Sequence, residues 1–99
     1  MACGGAVIAV NTTGHADIVT GENAIIIATK GETTVERDNV TVACWPEPDL
    51  DDTIAKLEWS YQNRTKLKAL GFRASVDLAQ MTWRKTAEEL QRVIRRVSR

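Results

Sequence analysis

The chain has 99 residues, of which 43% are hydrophobic and 26% are charged, and its formal net charge at pH 7 is zero. This composition is typical of one globular domain rather than of a disordered or a membrane protein. The longest apolar runs, residues 6–10 and 24–28, are far shorter than the ~20 residues that cross a bilayer. We therefore expect no membrane partner.

The net charge hides a strong asymmetry along the chain. Residues 1–48 carry two basic and six acidic side chains, a balance of −4, whereas residues 49–99 carry eleven basic and seven acidic ones, a balance of +4. Such polarity indicates a charged surface in the second half that could bind a partner. The start of the sequence lacks a basic stretch followed by a long apolar one, so we expect no secretory signal and a cytoplasmic location.

The first part of the sequence predicts a run of short strands rich in Val, Ile and Thr. Gly, Asn and Asp lie between these strands, and they tolerate the positive φ angles of tight turns. Connections of two to five residues are too short for parallel crossovers, so the pattern predicts an antiparallel β-meander of about four to five strands. The predicted strands are Ala6–Val10, Ala16–Thr20, Ala24–Thr29, Thr33–Arg37 and Val40–Trp45.

Two prolines interrupt the strand pattern. Pro46 and Pro48 restrict the residues before them to extended geometry, so residues 46–48 are predicted to form a stiff connector. The connector divides one single domain, residues 1–99, into a β-rich part before it and a helical, basic part after it. With two to three helices packed on the meander, the predicted fold class is α+β.

The helical part shows capping residues as well as apolar periodicity. Asp49 is predicted to be an N-cap, and Gly71 is a natural stop for the helix that follows it. A short helix is expected over Ala74–Met81, and a final helix begins at Thr86 or slightly earlier with Thr82 as its cap. The apolar positions that define the first of these helices are Leu50, Ile54, Leu57 and Tyr61, continuing less regularly to Leu67 and Leu70.

The final helix carries a narrow apolar stripe. We expect this stripe to dock against the sheet or the neighbouring helices, which would leave the arginines outside. The stripe residues are Ala87, Leu90, Ile94 and Val97, with Val93 on the flank.

No catalytic, metal or cofactor signature stands out. His15 is the single histidine, and no local motif pairs it with Cys3 or Cys44, which are expected to be free thiols. The acidic group at residues 49–52 lacks the glycine and distal glutamate of a calcium loop, and helix capping accounts for it. The glycine-containing turns match neither a P-loop nor a dinucleotide fingerprint. We therefore expect no enzyme, no cofactor and no metal.

Basic residues interleaved with aromatic ones characterise the second half. Such surfaces bind phosphates and stack bases, but tryptophan and arginine equally anchor protein interfaces. Trp59 and Trp83 could be core residues or interface residues, and the sequence leaves both open. The candidate partner-binding residues are Arg84, Lys85, Arg92, Arg95, Arg96 and Arg99, together with Trp59 and Arg64.

These observations favour a small non-catalytic interaction or regulatory protein that binds a macromolecular partner through its basic helical half. Inhibitors and accessory factors, including phage-encoded ones, are of this type. A protein partner with an acidic surface is preferred, because a net charge of zero argues against strong non-specific binding to nucleic acid. The first alternative is a nucleic-acid-binding regulator that uses the final helix. The second is a homo-oligomer in which the acidic half of one copy meets the basic half of another.

Overall fold

The computed structural model describes residues 1–98. Three helices follow four strands along the chain, and a short 3₁₀-helix lies between the first two strands. The elements are β1 (Ile8–Val10), the 3₁₀-helix (Thr13–Asp17), β2 (Ile25–Ile27), β3 (Thr29–Arg37), β4 (Val40–Pro48), α1 (Leu50–Gln62), α2 (Arg64–Leu78) and α3 (Trp83–Val97).

The α+β composition is confirmed, but the predicted meander of four to five strands is wrong. The strands form two separate two-stranded sheets, a parallel pair of β1 with β2 and an antiparallel pair of β3 with β4. The segment between β1 and β2 is long enough for a parallel crossover because the predicted strand Ala16–Thr20 does not form. The 3₁₀-helix and a turn replace it, and Val19 from this segment is buried.

The β3–β4 pair is a long hairpin. Asp38 and Asn39 form its turn with φ angles of 53° and 62°, as their residue types predicted. Gly31 does not form a separate turn; its φ of 71° lies at a shift in register between Thr29 and Glu32, so β3 runs through it.

The predicted connector is part of the hairpin instead. Residues 46–48 lie within β4, where Pro46 pairs with Glu32 and Pro48 pairs with Thr29. Proline has no N–H to give to a ladder, and a two-stranded sheet accepts it because both of its strands are edge strands.

The helix caps form as the sequence predicted. The Asp49 carboxylate accepts hydrogen bonds from the backbone N–H groups of Asp51 (2.9 Å) and Asp52 (3.3 Å), and the Thr82 hydroxyl accepts one from Lys85 (3.2 Å). Gly71, predicted as a helix stop, is instead buried in the middle of α2. A methyl group there would overlap the Gly4 carbonyl oxygen, so glycine allows the N-terminal segment to lie directly on the helix.

The core is small and lies where the β1–β2 sheet meets α1 and α2. Its hydrophobic members are Val19, Ala24, Ile25, Ile27 and Ala74. Two of these five are alanines, so little apolar area is removed from water here. The remaining buried side chains are polar, which means that hydrogen bonds must satisfy them.

Asn23 is the most deeply buried large side chain, with 2% of its surface exposed. Its amide oxygen accepts from the backbone N–H of Thr20 (2.8 Å), and its amide nitrogen donates to the carbonyl of Ile18 (3.1 Å) and to the Asp77 carboxylate (3.0 Å). Arg73 donates to the other oxygen of Asp77 at 3.0 Å. This network joins the segment before β2 to α2 across 54 positions of sequence.

The molecule is flat and extended. Its Cα radius of gyration is 17.7 Å and its principal extents are 54 × 44 × 16 Å, whereas a compact domain of about 100 residues has a radius of gyration of about 13 Å. The shortest extent is about one layer of secondary structure. The hairpin and α3 account for this shape, because neither packs extensively on the core.

Candidate interaction surface

The exposed face of α3 is the first part of the candidate surface. Five apolar residues follow one another at alternating intervals of four and three, the spacing that aligns side chains along one side of a helix. All five are exposed to solvent, and the indole of Trp83 is the extreme case at 88%. This set, the α3 stripe, consists of Trp83, Ala87, Leu90, Ile94 and Val97.

The expectation that this stripe docks against the sheet or the neighbouring helices is wrong, since no residue of α3 is buried. Within residues 1–98, every hydrogen bond of an α3 side chain ends on a residue between Gln80 and Val97. The cap on Thr82 and the bond from Lys85 to Gln80 (3.2 Å) hold only the first turn of the helix. Helical periodicity identified four of the five stripe residues and missed Trp83, and among residues 1–98 the stripe is not covered by another element.

The opposite face of α3 is basic. Glu89 pairs with Arg92 at 2.9 Å, three positions along the helix. By contrast, Arg84, Arg95 and Arg96 form no ion pair with any residue between 1 and 98. Of the predicted site residues, α3 brings together Arg84, Lys85, Arg92, Arg95 and Arg96; Arg99 lies outside the described residues.

Trp59 and Arg64 lie elsewhere, at the junction of α1 and α2. The Arg64 guanidinium lies 4.9 Å from the centre of the Tyr61 ring, and the Lys66 ammonium lies 5.8 Å from the Trp59 ring. Cations over aromatic faces stabilise exposed sites by about 0.5–1 kcal/mol each. Trp59 also lines an open cleft of about 510 Å³ beside β2. The predicted site residues therefore form two groups rather than one.

The second exposed stripe lies on α1 and was not expected to face solvent. The four apolar residues that predicted this helix have the same four–three spacing as those of α3, and all of them are exposed. We call this set the α1 stripe: Leu50, Ile54, Leu57 and Tyr61. The periodicity predicted a helix here, but the helix ends at Gln62, and a second helix over Arg64–Leu78 replaces both its predicted continuation to Gly71 and the short helix expected over Ala74–Met81. The direction of the apolar face could not be derived from the periodicity.

A polar row takes the inward side of α1. Asp52 accepts a hydrogen bond from the Ala28 backbone N–H at 2.7 Å, which ties the start of the helix to the end of β2. Ser60 is buried, and its hydroxyl donates to the Lys56 carbonyl at 2.6 Å. Both of these polar groups are hydrogen-bonded, so α1 can approach β2 with its polar side. The apolar side is left outside.

The helices that carry the two stripes have opposite net charge. Residues 49–62 contain four acidic side chains and one lysine, a balance of −3. Residues 83–97 contain five basic and two acidic side chains, a balance of +3. Asp51 and Glu58 each directly follow a stripe residue of α1, and Arg84 directly follows the first stripe residue of α3. These are flanking positions at which charges select helix partners.

The groups weighed for catalysis lie on different elements. Cys3 is in the N-terminal segment, His15 is in the 3₁₀-helix, and Cys44 is in β4; all three are exposed. A hydrogen bond from the Cys44 thiol to Glu32 (3.4 Å), with smaller effects of desolvation and of the nearby negative charge, raises the pKa of Cys44. Among residues 1–98, no three His, Cys, Asp or Glu side chains are grouped so that they could hold a metal ion.

Comparison with protein-family models, with curated proteins and with solved structures found no match for this chain. Within the part of the chain that the structure describes, no helix is both long enough and apolar enough to pass through a bilayer.

Proposed function

We propose that this chain is a small non-catalytic interaction protein of the regulatory or inhibitory kind, and that α3 is the helix it presents to a macromolecular partner. The supporting observation is the exposed α3 stripe with a basic face behind it. Fully burying one Val, Leu or Ile side chain is worth about 1.5–3 kcal/mol. Docking Leu90, Ile94 and Val97 into a groove therefore contributes several kcal/mol towards a complex.

The proposed partner is a protein with an apolar groove and an acidic rim. Such a groove would accept the stripe, and its rim would meet the unpaired guanidinium groups of Arg84, Arg95 and Arg96. A nucleic acid would use only the basic face and would leave Trp83 and Leu90 in water. The apolar stripe thus favours a protein, and phosphate binding through the same arginines is the second candidate function.

A capture experiment with the immobilised full chain tests the proposal. Leu90→Glu changes the stripe, and Arg95→Glu with Arg96→Glu changes the basic face without disturbing the Arg92–Glu89 pair. Val40→Glu on the hairpin is the matched control, because Val40 and Leu90 are 61% and 60% exposed. We expect Leu90→Glu to abolish capture of a nuclease-resistant protein partner, the arginine reversal to weaken it at least tenfold, and Val40→Glu to retain it.

The same variants separate the two kinds of partner. Binding to a fluorescent duplex DNA that falls steeply with salt and is lost on the arginine reversal, but survives Leu90→Glu, would support the nucleic-acid function instead. Capture that survives both the stripe variant and the arginine reversal would show that α3 is not the contact element, and the proposal would be abandoned.

A further inference from the structure

The chain exposes far more surface than a compact protein of its size. Its accessible surface is 7,902 Å², whereas a folded monomer of 10.9 kDa has about 5,600 Å². The excess is about 2,300 Å² for one chain by the same scaling. Obligate dimers bury about 2,000–5,000 Å² in total over both chains. The excess is therefore of the size that an extensive dimer would remove from water.

The two exposed stripes are suited to each other. Both have the four–three spacing, and each covers about two heptads of helix. The two helices, residues 49–62 and 83–97, carry net charges of −3 and +3, so α1 and α3 attract, whereas two copies of α1 or two copies of α3 repel. An α1–α3 pair would bury both stripes in one contact between helices of opposite net charge.

The chain's own α3 is held away from its own α1. Backbone hydrogen bonds from Gln80 to Asp77 (3.3 Å) and from Met81 to Leu78 (2.9 Å) fix the turn after α2, and the Thr82 cap fixes the direction in which α3 begins. Moving α3 to a different position relative to α2 would require this turn to rearrange. A second copy can supply the missing helix without any such change.

We propose that the occupant of the α1 stripe is α3 of a second copy of this chain, and that two copies exchange these helices reciprocally. This inference rests on the proposed role of α3 as a docking helix and names its partner. Reciprocal exchange makes two equivalent α1–α3 contacts related by a twofold axis, so the assembly closes as a dimer. The apolar stripes then form the core that each single chain lacks.

The test measures molar mass against concentration, by light scattering and sedimentation, for the full chain and two exposed-site variants. Leu57→Glu changes only the α1 stripe, and Leu90→Glu changes only the α3 stripe. We expect the wild-type chain to form a dimer. Each variant alone should raise the dissociation constant of the dimer on the order of 100-fold or more, because each places a charge in both contacts. Val40→Glu on the hairpin should leave the dimer intact, and circular dichroism should show that all variants stay folded.

Mixing the two variants gives the decisive result. The Leu57→Glu chain has an unchanged α3 stripe, and the Leu90→Glu chain has an unchanged α1 stripe. An equimolar mixture should therefore form a mixed dimer in which these two stripes make one intact contact. Pairing of α3 with α3 predicts instead that Leu57→Glu is harmless and that mixing rescues nothing. Either of those observations, or a wild-type monomer at every concentration, overturns reciprocal exchange.

Hydrogen exchange of the wild-type chain gives an independent measurement that does not depend on variants folding. Amides of both α1 and α3 should become protected as concentration rises, and protection of α3 alone would contradict the exchange. A wild-type monomer whose capture of another protein is abolished by Leu90→Glu would end this inference and leave the proposed function standing. A dimer indifferent to Leu90→Glu, with capture also indifferent to it, would end both.

Discussion

The segment around Asn23 and helix α3 use side chains in opposite ways. Asn23 is polar and almost completely buried, and three hydrogen bonds to Thr20, Ile18 and Asp77 satisfy it. In α3, large apolar side chains such as Trp83 and Leu90 remain in water. The difference teaches that local polarity does not locate the core of this chain. Its centre combines a few Val, Ile and Ala side chains with buried polar groups, while the apolar faces of α1 and α3 are turned outward.

The largest expected effect comes from replacing isoleucine by alanine in the core, compared with the same replacement in α3. Ile27→Ala removes a side chain that is 9% exposed, and we expect it to lower the free energy of unfolding by about 3 kcal/mol. Ile94→Ala, at a side chain that is 54% exposed, should change it by less than about 0.5 kcal/mol. Urea unfolding at a concentration where the chain is monomeric provides both values. Equal losses would mean that α3 packs on its own chain.

Asn23→Ala tests whether the polar network stabilises the core. The variant leaves the Thr20 N–H and the Asp77 carboxylate without a buried partner, so we expect a loss of about 2–3 kcal/mol in the same urea experiment. The control is Arg73→Ala at the exposed end of the network, where the side chain is 55% exposed and the loss should stay below about 1 kcal/mol. Equal effects at both positions would contradict the distinction between the buried and exposed ends.

The sign of the stability change caused by Gly71→Ala tests whether the N-terminal segment packs on α2. In the middle of an ordinary helix this change stabilises by about 1 kcal/mol. Here the new methyl group meets the Gly4 carbonyl oxygen and approaches to 3.0 Å from the Ala6 amide nitrogen, so we expect destabilisation of about 1–2 kcal/mol. Removing residues 1–5 should restore the ordinary sign, which thermal unfolding of the four proteins would reveal. Stabilisation by Gly71→Ala in the intact chain would show that the N-terminal segment does not lie on α2.

The smallest effect concerns the hairpin, which resembles α3 in its exposure. Because its hydrogen bond to Glu32 raises the pKa of Cys44, less thiolate is present at a given pH and alkylation is slow. Glu32→Ala should move the onset of iodoacetamide alkylation at Cys44 to lower pH and speed it a few-fold near pH 8, with Cys3 as the reference in each sample. The contact stabilises the fold below the ordinary thiol pKa and loses its effect as pH rises through the raised value. An unchanged pH profile would mean that the contact does not form in solution.

Local chemistry made part of this structure predictable. The Asp38–Asn39 turn and the caps at Asp49 and Thr82 follow from residue types that satisfy backbone geometry over three or four positions. The parallel pairing of β1 with β2 could not be predicted, because it depends on whether Ala16–Thr20 forms a strand or a 3₁₀-helix. That choice is made by tertiary packing around Val19 rather than by strand propensity.

The candidate surface was predictable in its residues but not in its geometry. Periodicity reports which side chains share a face of a helix, and it identified both stripes. It does not report what that face meets, so the α3 stripe was expected to dock against the sheet or the neighbouring helices, whereas no residue of α3 is buried. Two signals were present in the sequence. Asp52, Lys56 and Ser60 form a polar row on the face of α1 opposite its stripe, and Trp83 lies four positions before Ala87, at the helical spacing of the α3 stripe. The polar face of α1 can pack inward, and a large apolar residue begins α3. Both features favour helices whose apolar faces point away from their own chain.

The prolines of β4 have a consequence for how this chain can grow into larger assemblies. A hairpin standing clear of its domain normally invites further strands from neighbouring molecules, and repeated addition of that kind ends in fibrils. Pro46 and Pro48 pair with β3 without offering an N–H of their own, so the base of β4 lacks two donors that an incoming strand would need. Pairing of a further strand with the base of β4 is therefore weakened. Contact through side-chain faces, unlike addition to a strand edge, can end at a fixed number of copies.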